Sequence, residues 1–360
     1  MNMQGSVSFM EVLLRIEDAA RQRHTAPLTS NAILQNLASS SGSEVVMRRL
    51  VGLSLTLVAL ISGHAFAEHR VLLHGEGRLV IVGGDGDIEW EMPWGGIHDI
   101  HRLDNGHIMV QENFKQIVEI DPKAKEVVWS YDASQSNGNA GKPIEIHAFQ
   151  PLDNGRIMIA ESGPARIIEI DRDGTLHNEI ALRVDHPSTH RDTRLARKIE
   201  NGHYLVCHEG DGVVREYDHR SGAVVWEFAV PMFDQKAKPG HGPEAFGNAV
   251  FSALRLPNGN TLIGTGNGHS VLEVTPEKKI VRAIHQNDLP NITLAWVTTL
   301  EVLANGNIVI GNCHAGPGQP LLVEIDAKSH DVVWTFDHFD AFGNAVSNSL
   351  ILDVITPSLR

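Results

Sequence analysis

Thr298-Thr-Leu-Glu-Val-Leu303, Asn305-Gly306 and Asn307-Ile-Val-Ile310 read together as an apolar strand, a polar turn and a second apolar strand. Asn-Gly between apolar runs is a strong hairpin signal, and a type I′ turn there places both residues at positive φ. The same phrase surrounds Asn105-Gly106, Asn154-Gly155, Asn201-Gly202 and Asn258-Gly259, so five copies are separated by 49, 47, 57 and 47 residues. A third strand follows, as in Gln116-Ile-Val-Glu-Ile-Asp-Pro122 and Leu321-Leu-Val-Glu-Ile-Asp-Ala327, and a fourth carries Val127-Val-Trp129, Val224-Val-Trp226 or Val332-Val-Trp334. Four strands at this period are the makings of a propeller blade.

Ala245-Phe-Gly-Asn-Ala-Val250 reappears as Ala341-Phe-Gly-Asn-Ala-Val346, 96 residues later, at equivalent points two blades apart. Ser347-Asn-Ser-Leu-Ile-Leu-Asp353 then reads as a first strand with no second, third or fourth behind it. Those three stand at the other end, in Arg70-Val-Leu-Leu-His74, Arg78-Leu-Val-Ile-Val82 and Asp87-Ile-Glu-Trp90. The fold expected is all-β: a six-bladed β-propeller of four-stranded antiparallel blades, closed by pairing the C-terminal strand with the N-terminal three. Such an interlock leaves no open end to the ring.

Residues 68–360 are assigned to this single propeller. Before them, Met47-Arg-Arg49, the apolar run Leu50 to Ile61 and Ala65-Phe-Ala67 have the order of a secretory signal peptide over 47–67. Residues 1–46 read as a mis-assigned or disordered extension, with Met47 as the expected start. The apolar run is short for a membrane span, so a periplasmic or secreted protein without a stable span after cleavage is expected. The net charge of −14, without basic runs among the blades, excludes a nucleic-acid partner, because phosphate binding needs clustered Lys and Arg. With only Cys207 and Cys313, the fold does not rest on a disulfide framework, and unpaired thiols are expected.

In a propeller blade the first strand runs down the central channel, so its start shares one face, here the upper, with the loop joining the second and third strands. That rule gathers His98 and His101, Glu145 and His147, and His190 with Arg191 and Arg194 from first-strand starts. His208, Asn267, His269, Asn312 and His314 come from the joining loops, His241 from the long loop between blades, and Trp296 from a channel segment. Imidazoles beside carboxylates and arginines around one concavity suit acid–base, nucleophilic or metal chemistry. His98, His101, His147 and His190 are the expected catalytic groups. Arg191, Arg194, His241, Asn267, Trp296 and Asn312 are the expected substrate contacts, and His208, His269 and His314 the candidate ligands of a divalent transition metal. No Cys-x-x-Cys or His-Glu-x-x-His occurs, so a metal site would draw on several blades.

The units Ile120-Asp121 to Trp129, Tyr217-Asp-His-Arg-Ser-Gly222 to Trp226 and Ile325-Asp326 to Trp334 resemble the repeats of quinoprotein (PQQ-like) propellers. Leu256-Pro-Asn-Gly-Asn-Thr-Leu262 and its counterparts are similar to repeats of bacterial arylsulfotransferases, exported six-bladed propellers. The second resemblance implies a channel histidine that accepts a sulfuryl group, assisted by His, Asn and Arg. The first does not imply a quinone here, since those dehydrogenases are larger rings with adjacent cysteines. The expected function is therefore group transfer or cleavage, sulfotransferase-like or lyase/hydrolase-like, on an anionic or aromatic small molecule or glycan. The alternative is a noncatalytic propeller that binds a glycan or a cell-envelope protein on its upper face.

Overall fold

The five Asn-Gly turns are built alike in the computed structural model, which describes residues 69–353 and 359. In each, the Asn side-chain oxygen accepts the amide N–H two residues on, from His107, Arg156, His203, Asn260 or Asn307. The glycine N–H donates three residues back, as Gly106 does to the Leu103 carbonyl at 2.8 Å. Only the glycines have positive φ, between +80° and +89°; the asparagines do not. The turns are therefore type I closed by a left-handed glycine, not the expected type I′, and the extra residue makes a bulge that the Asn side chain ties down.

The hairpins assemble into six four-stranded antiparallel sheets. The first blade combines β1 (Val71–Gly75), β2 (Arg78–Val82) and β3 (Ile88–Pro93) with the C-terminal β24 (Ser349–Ile351), in the order β24-β1-β2-β3. Its register pairs Val71 with Ile351 and Leu73 with Ser349. The other five take consecutive strands: β4–β7 (100–132), β8–β11 (145–181), β12–β15 (196–229), β16–β19 (252–284) and β20–β23 (297–336). Closure by the last strand against the first three is thus the observed arrangement. The signal-peptide and extension assignments lie outside the described residues. No helix among the described residues is long and apolar enough to cross a membrane.

Alternating apolar residues of the inner strands pack between blades. One such layer joins Leu72, Leu79 and Leu350 of the first blade to Ile100, Val110 and Val118 of the second. Cys207 and Cys313 are buried free thiols in these layers. The two copies of Ala-Phe-Gly-Asn-Ala-Val differ locally: the second begins inside the one described helix, α1 (Phe339–Phe342), while Phe246 in the first bridges Lys238.

Two polar devices recur between blades. A buried Glu recurs in the third strand; Glu119, Glu169, Glu216 and Glu324 take a side-chain donor from the next blade, as Glu216 does from Arg255 at 2.5 Å, while Glu273 pairs within its own blade. The outer-strand Trp donates its indole N–H to a backbone carbonyl of the next blade's turn: Trp90 to Pro122 (2.7 Å), Trp129 to Arg172 (2.7 Å) and Trp226 to Pro276 (3.0 Å). In two of the three Val-Val-Trp motifs the Trp is thus a latch between blades, while Trp334 instead packs edge-on against His69. Trp226→Phe keeps a ring but loses the N–H, and a loss of about 1 kcal/mol in urea unfolding is expected; no change would mean the latch is bypassed.

Candidate functional site in the upper channel

Strand β8 (Glu145–Pro151) opens with Glu145-Ile-His147, and its pairing with β9 (Ile157–Ser162) shifts between Ile146 and Ala148. A bulge re-aims the extra residue, and here that residue is His147, fully buried toward the axis. Its Nδ1 lies 2.6 Å from Nδ1 of His98. Its Nε2 lies 2.9 Å from Glu145 Oε2, off the line of a hydrogen bond. The same carboxylate oxygen accepts from His190 Nδ1 at 2.7 Å. His98 is fixed through its backbone, whose N–H reaches Gln111 Oε1 (3.2 Å) and whose carbonyl accepts from Asn348 Nδ2 (2.8 Å). Phe114 and Phe251 wall the imidazoles, with ring centroids 4.9 and 5.8 Å from His98.

Burial sets the protonation of this group. It pushes His147 down to about 4, against the pull of Glu145, and lowers His98 well below the usual imidazole value, with His147 and Arg194 adding to the effect. The His147 contact holds the Glu145 carboxyl down to about 2, with burial opposing and His190 assisting. Near neutral pH the set is thus an ionised carboxylate beside two neutral imidazoles. Glu145, His147 and His190 also present ligand atoms within 4.8 Å of one another, one of two such groups among the described residues.

 Arg194 is buried against Glu209, whose Oε2 lies 2.5 Å from its Nε. Arg191 shares that carboxylate, its Nε 3.0 Å from Glu209 Oε1. Both arginines expected to hold a substrate anion are therefore engaged by one Glu.

Three of the four histidines expected to be catalytic come together; His101 does not. Three steps along an extended strand turn a side chain to the other side, and His101 Nε2 donates to the Phe149 carbonyl at 2.8 Å. Between His98 and His101 sits Asp99, fully buried and paired bidentately with Arg197 at 2.8 and 2.9 Å. Below this pair, His101 lines a cavity of about 1180 Å³ at the lower mouth, together with the turn residues Leu103, Asp104 and Asn201.

The three expected metal ligands stay apart. His208 donates Nδ1–H to the Asp192 carbonyl (2.7 Å) and accepts at Nε2 from the Tyr217 hydroxyl (2.8 Å). His269 donates from Nε2 to the Ala245 carbonyl (2.7 Å) and accepts the Trp296 N–H at Nδ1 (3.0 Å). His314 stacks on His241, ring centroids 5.0 Å apart, and His241 packs on Trp296 at 4.5 Å. Asn267 and Asn312 serve the backbone, accepting the N–H groups of Ala249 and Ala295. The upper-face rule gathers Glu145 with His147, and Glu209 with the neighbouring His208, without giving either a role; Phe114 and Phe251 carry no signal that would place them.

Six blades with repeated Asn-Gly turns, a buried third-strand Glu and outer Trp latches define a propeller of quinoprotein-type repeats. The chain belongs to the family PQQ_2, described as outer membrane protein assembly factor BamB, whose model matches residues 75–336. No curated protein matches it. Among solved structures, a protein of unknown function from Bacteroides caccae is similar at 23% identity and a TM-score of 0.64, covering 78% of this chain and 98% of that one. Virginiamycin B lyase from Staphylococcus aureus, in a catalytically inactive form with quinupristin, is similar at 14% identity and a TM-score of 0.48, over 76% of this chain and 87% of that one.

Proposed function

We propose that this is an exported enzyme whose upper-channel histidines carry out group transfer or cleavage on an anionic or aromatic small molecule or glycan. The observation that carries the reading is the line Glu145, His147, His98. With its proton on Nε2, facing Glu145, His147 presents a bare Nδ1 to His98. His98 then carries its proton on Nδ1, and its Nε2 is the basic nitrogen, fit to act as general base or nucleophile. Glu145 steadies the charge that develops on the imidazole pair. Arg191, half exposed beside Glu209, is the cation open to a substrate anion.

The test uses chromogenic aryl sulfate and aryl phosphate esters with a phenol acceptor. His98→Ala and His147→Ala are expected to lose at least about 100-fold in turnover, the usual range for a general base, while His101→Ala keeps its rate. Equal rates in all three variants would sink the reading.

The family description favours a second reading, a noncatalytic propeller of the cell envelope. Wild-type protein that turns over none of these esters, but is retained by envelope proteins in the His98→Ala form as well, would support it.

A further inference from the structure

The geometry points to a separate site for a divalent transition ion such as Zn²⁺ on the lower rim of the fourth blade, held by His203 Nε2, Asp218 Oδ2 and His219 Nδ1. The three residues each offer a ligand atom within 4.8 Å of the others. His203 follows the Asn201-Gly202 turn, and Asp218-His219 opens the turn after β14 (Val213–Tyr217), so two neighbouring hairpins supply the ligands.

His203 and Asp218 are prepared for a cation by their surroundings. A carboxylate only accepts, so His203 donates Nδ1–H to Glu216 Oε1 at 2.7 Å and its Nε2 is bare. That nitrogen faces Asp218 Oδ2 at 3.4 Å, two acceptors with no proton required between them. The orienting Glu216 is the partner that metal-bound imidazoles commonly have. Asp218 spends Oδ1 on the Ser221 N–H (2.7 Å), the Ser221 hydroxyl (2.8 Å) and the Arg220 N–H (3.1 Å). Those donors, Ser221 first, hold its carboxyl down to about 2. His219 Nδ1 is buried and makes no hydrogen bond.

The chain contains its own control. In the second blade His107 donates to Glu119 at 2.6 Å and faces Asp121 at 4.0 Å, but Pro122 stands where His219 would be. Two imidazoles and one carboxylate with open positions suit Zn²⁺, Co²⁺ or Fe²⁺. Without metal, Arg220 Nε donates to His219 Nε2 at 3.2 Å, which puts the ring proton on Nδ1. Metal binding moves that proton to Nε2 and releases the exposed Arg220.

Full chain carrying no affinity histidines is titrated with Co²⁺, followed by visible absorption and Zn²⁺ displacement. One equivalent is expected to weaken at least about 100-fold in both His219→Ala and Asp218→Asn, to persist in His107→Ala, and to persist or tighten in Arg220→Ala. His190→Ala reports on the upper cluster alone and leaves this equivalent intact. Identical isotherms for wild type, His219→Ala and Asp218→Asn would overturn the site, whatever the ester assays give.

Discussion

Asp99→Asn is expected to destabilise the propeller by about 3–5 kcal/mol, the cost of breaking a buried ion pair from one side. Asp99 is fully buried and receives both guanidinium nitrogens of Arg197. It also accepts the N–H groups of Phe149 and Ile100, both at 3.1 Å. One carboxylate thereby joins the first strands of the second, third and fourth blades. Burial alone would raise its pKa, but Arg197 and His101 carry it well below the usual carboxylate range. Asparagine preserves the shape and removes the negative charge that faces a guanidinium only 5% exposed. Urea unfolding of Asp99→Asn, Arg197→Met and Asp99→Leu with Arg197→Met checks the argument. The double variant should be more stable than Asp99→Asn, since no charge is left alone. A single-variant cost below about 1 kcal/mol would show that Arg197 finds other acceptors.

The blades were legible because strands and turns are written locally. Alternation, Asn-Gly and Val-Val-Trp each act within a few residues, and even the closure followed from counting strands. The turn type was misjudged for a local reason too: glycine alone needed positive φ, and the Asn side chain did the rest. What the sequence did not disclose depends on distance along the chain. Asp99 and Arg197 are 98 positions apart and meet only because the ring brings first strands to one axis. The upper-face rule brings His98, His147 and His190 together, yet it also takes in His101, which lines the lower mouth. It could not tell that His208 and His269 spend both nitrogens on neighbours, or that His98 and His101 fall on opposite sides of Asp99.

Acid should unfold this protein well above the pH at which its carboxylates protonate. Burial pushes His147 and His208 each down to about 4 in the folded state, from an ordinary 6.5. A depressed imidazole pKa means that the unfolded chain binds the proton first, so stability is lost as pH falls from about 6.5 toward 4. By pH 5 each contributes a loss of about 2 kcal/mol, on the order of 1.4 kcal/mol per pH unit below 6.5. His314, also lowered to about 4 by burial and by His241, acts in the same direction. His69 opposes them: its pKa is raised by Glu324 and Asp353 against burial, so its contribution is present at low pH and fades above neutrality. Glu145 and Asp211, each held to about 2, lose their contributions only below the ordinary carboxylate range. Unfolding free energies at pH 7.5, 6 and 5 should therefore fall by several kcal/mol, opposed in part by Glu161, whose carboxyl burial raises above the ordinary value. His208→Gln offers the cleaner check, because it lies outside the Glu145 cluster and should flatten the slope between pH 6.5 and 5. A wild-type profile that is already flat there would mean that water reaches these imidazoles in the folded state, and the neutral His98–His147 pair required of the upper channel would lose its physical basis.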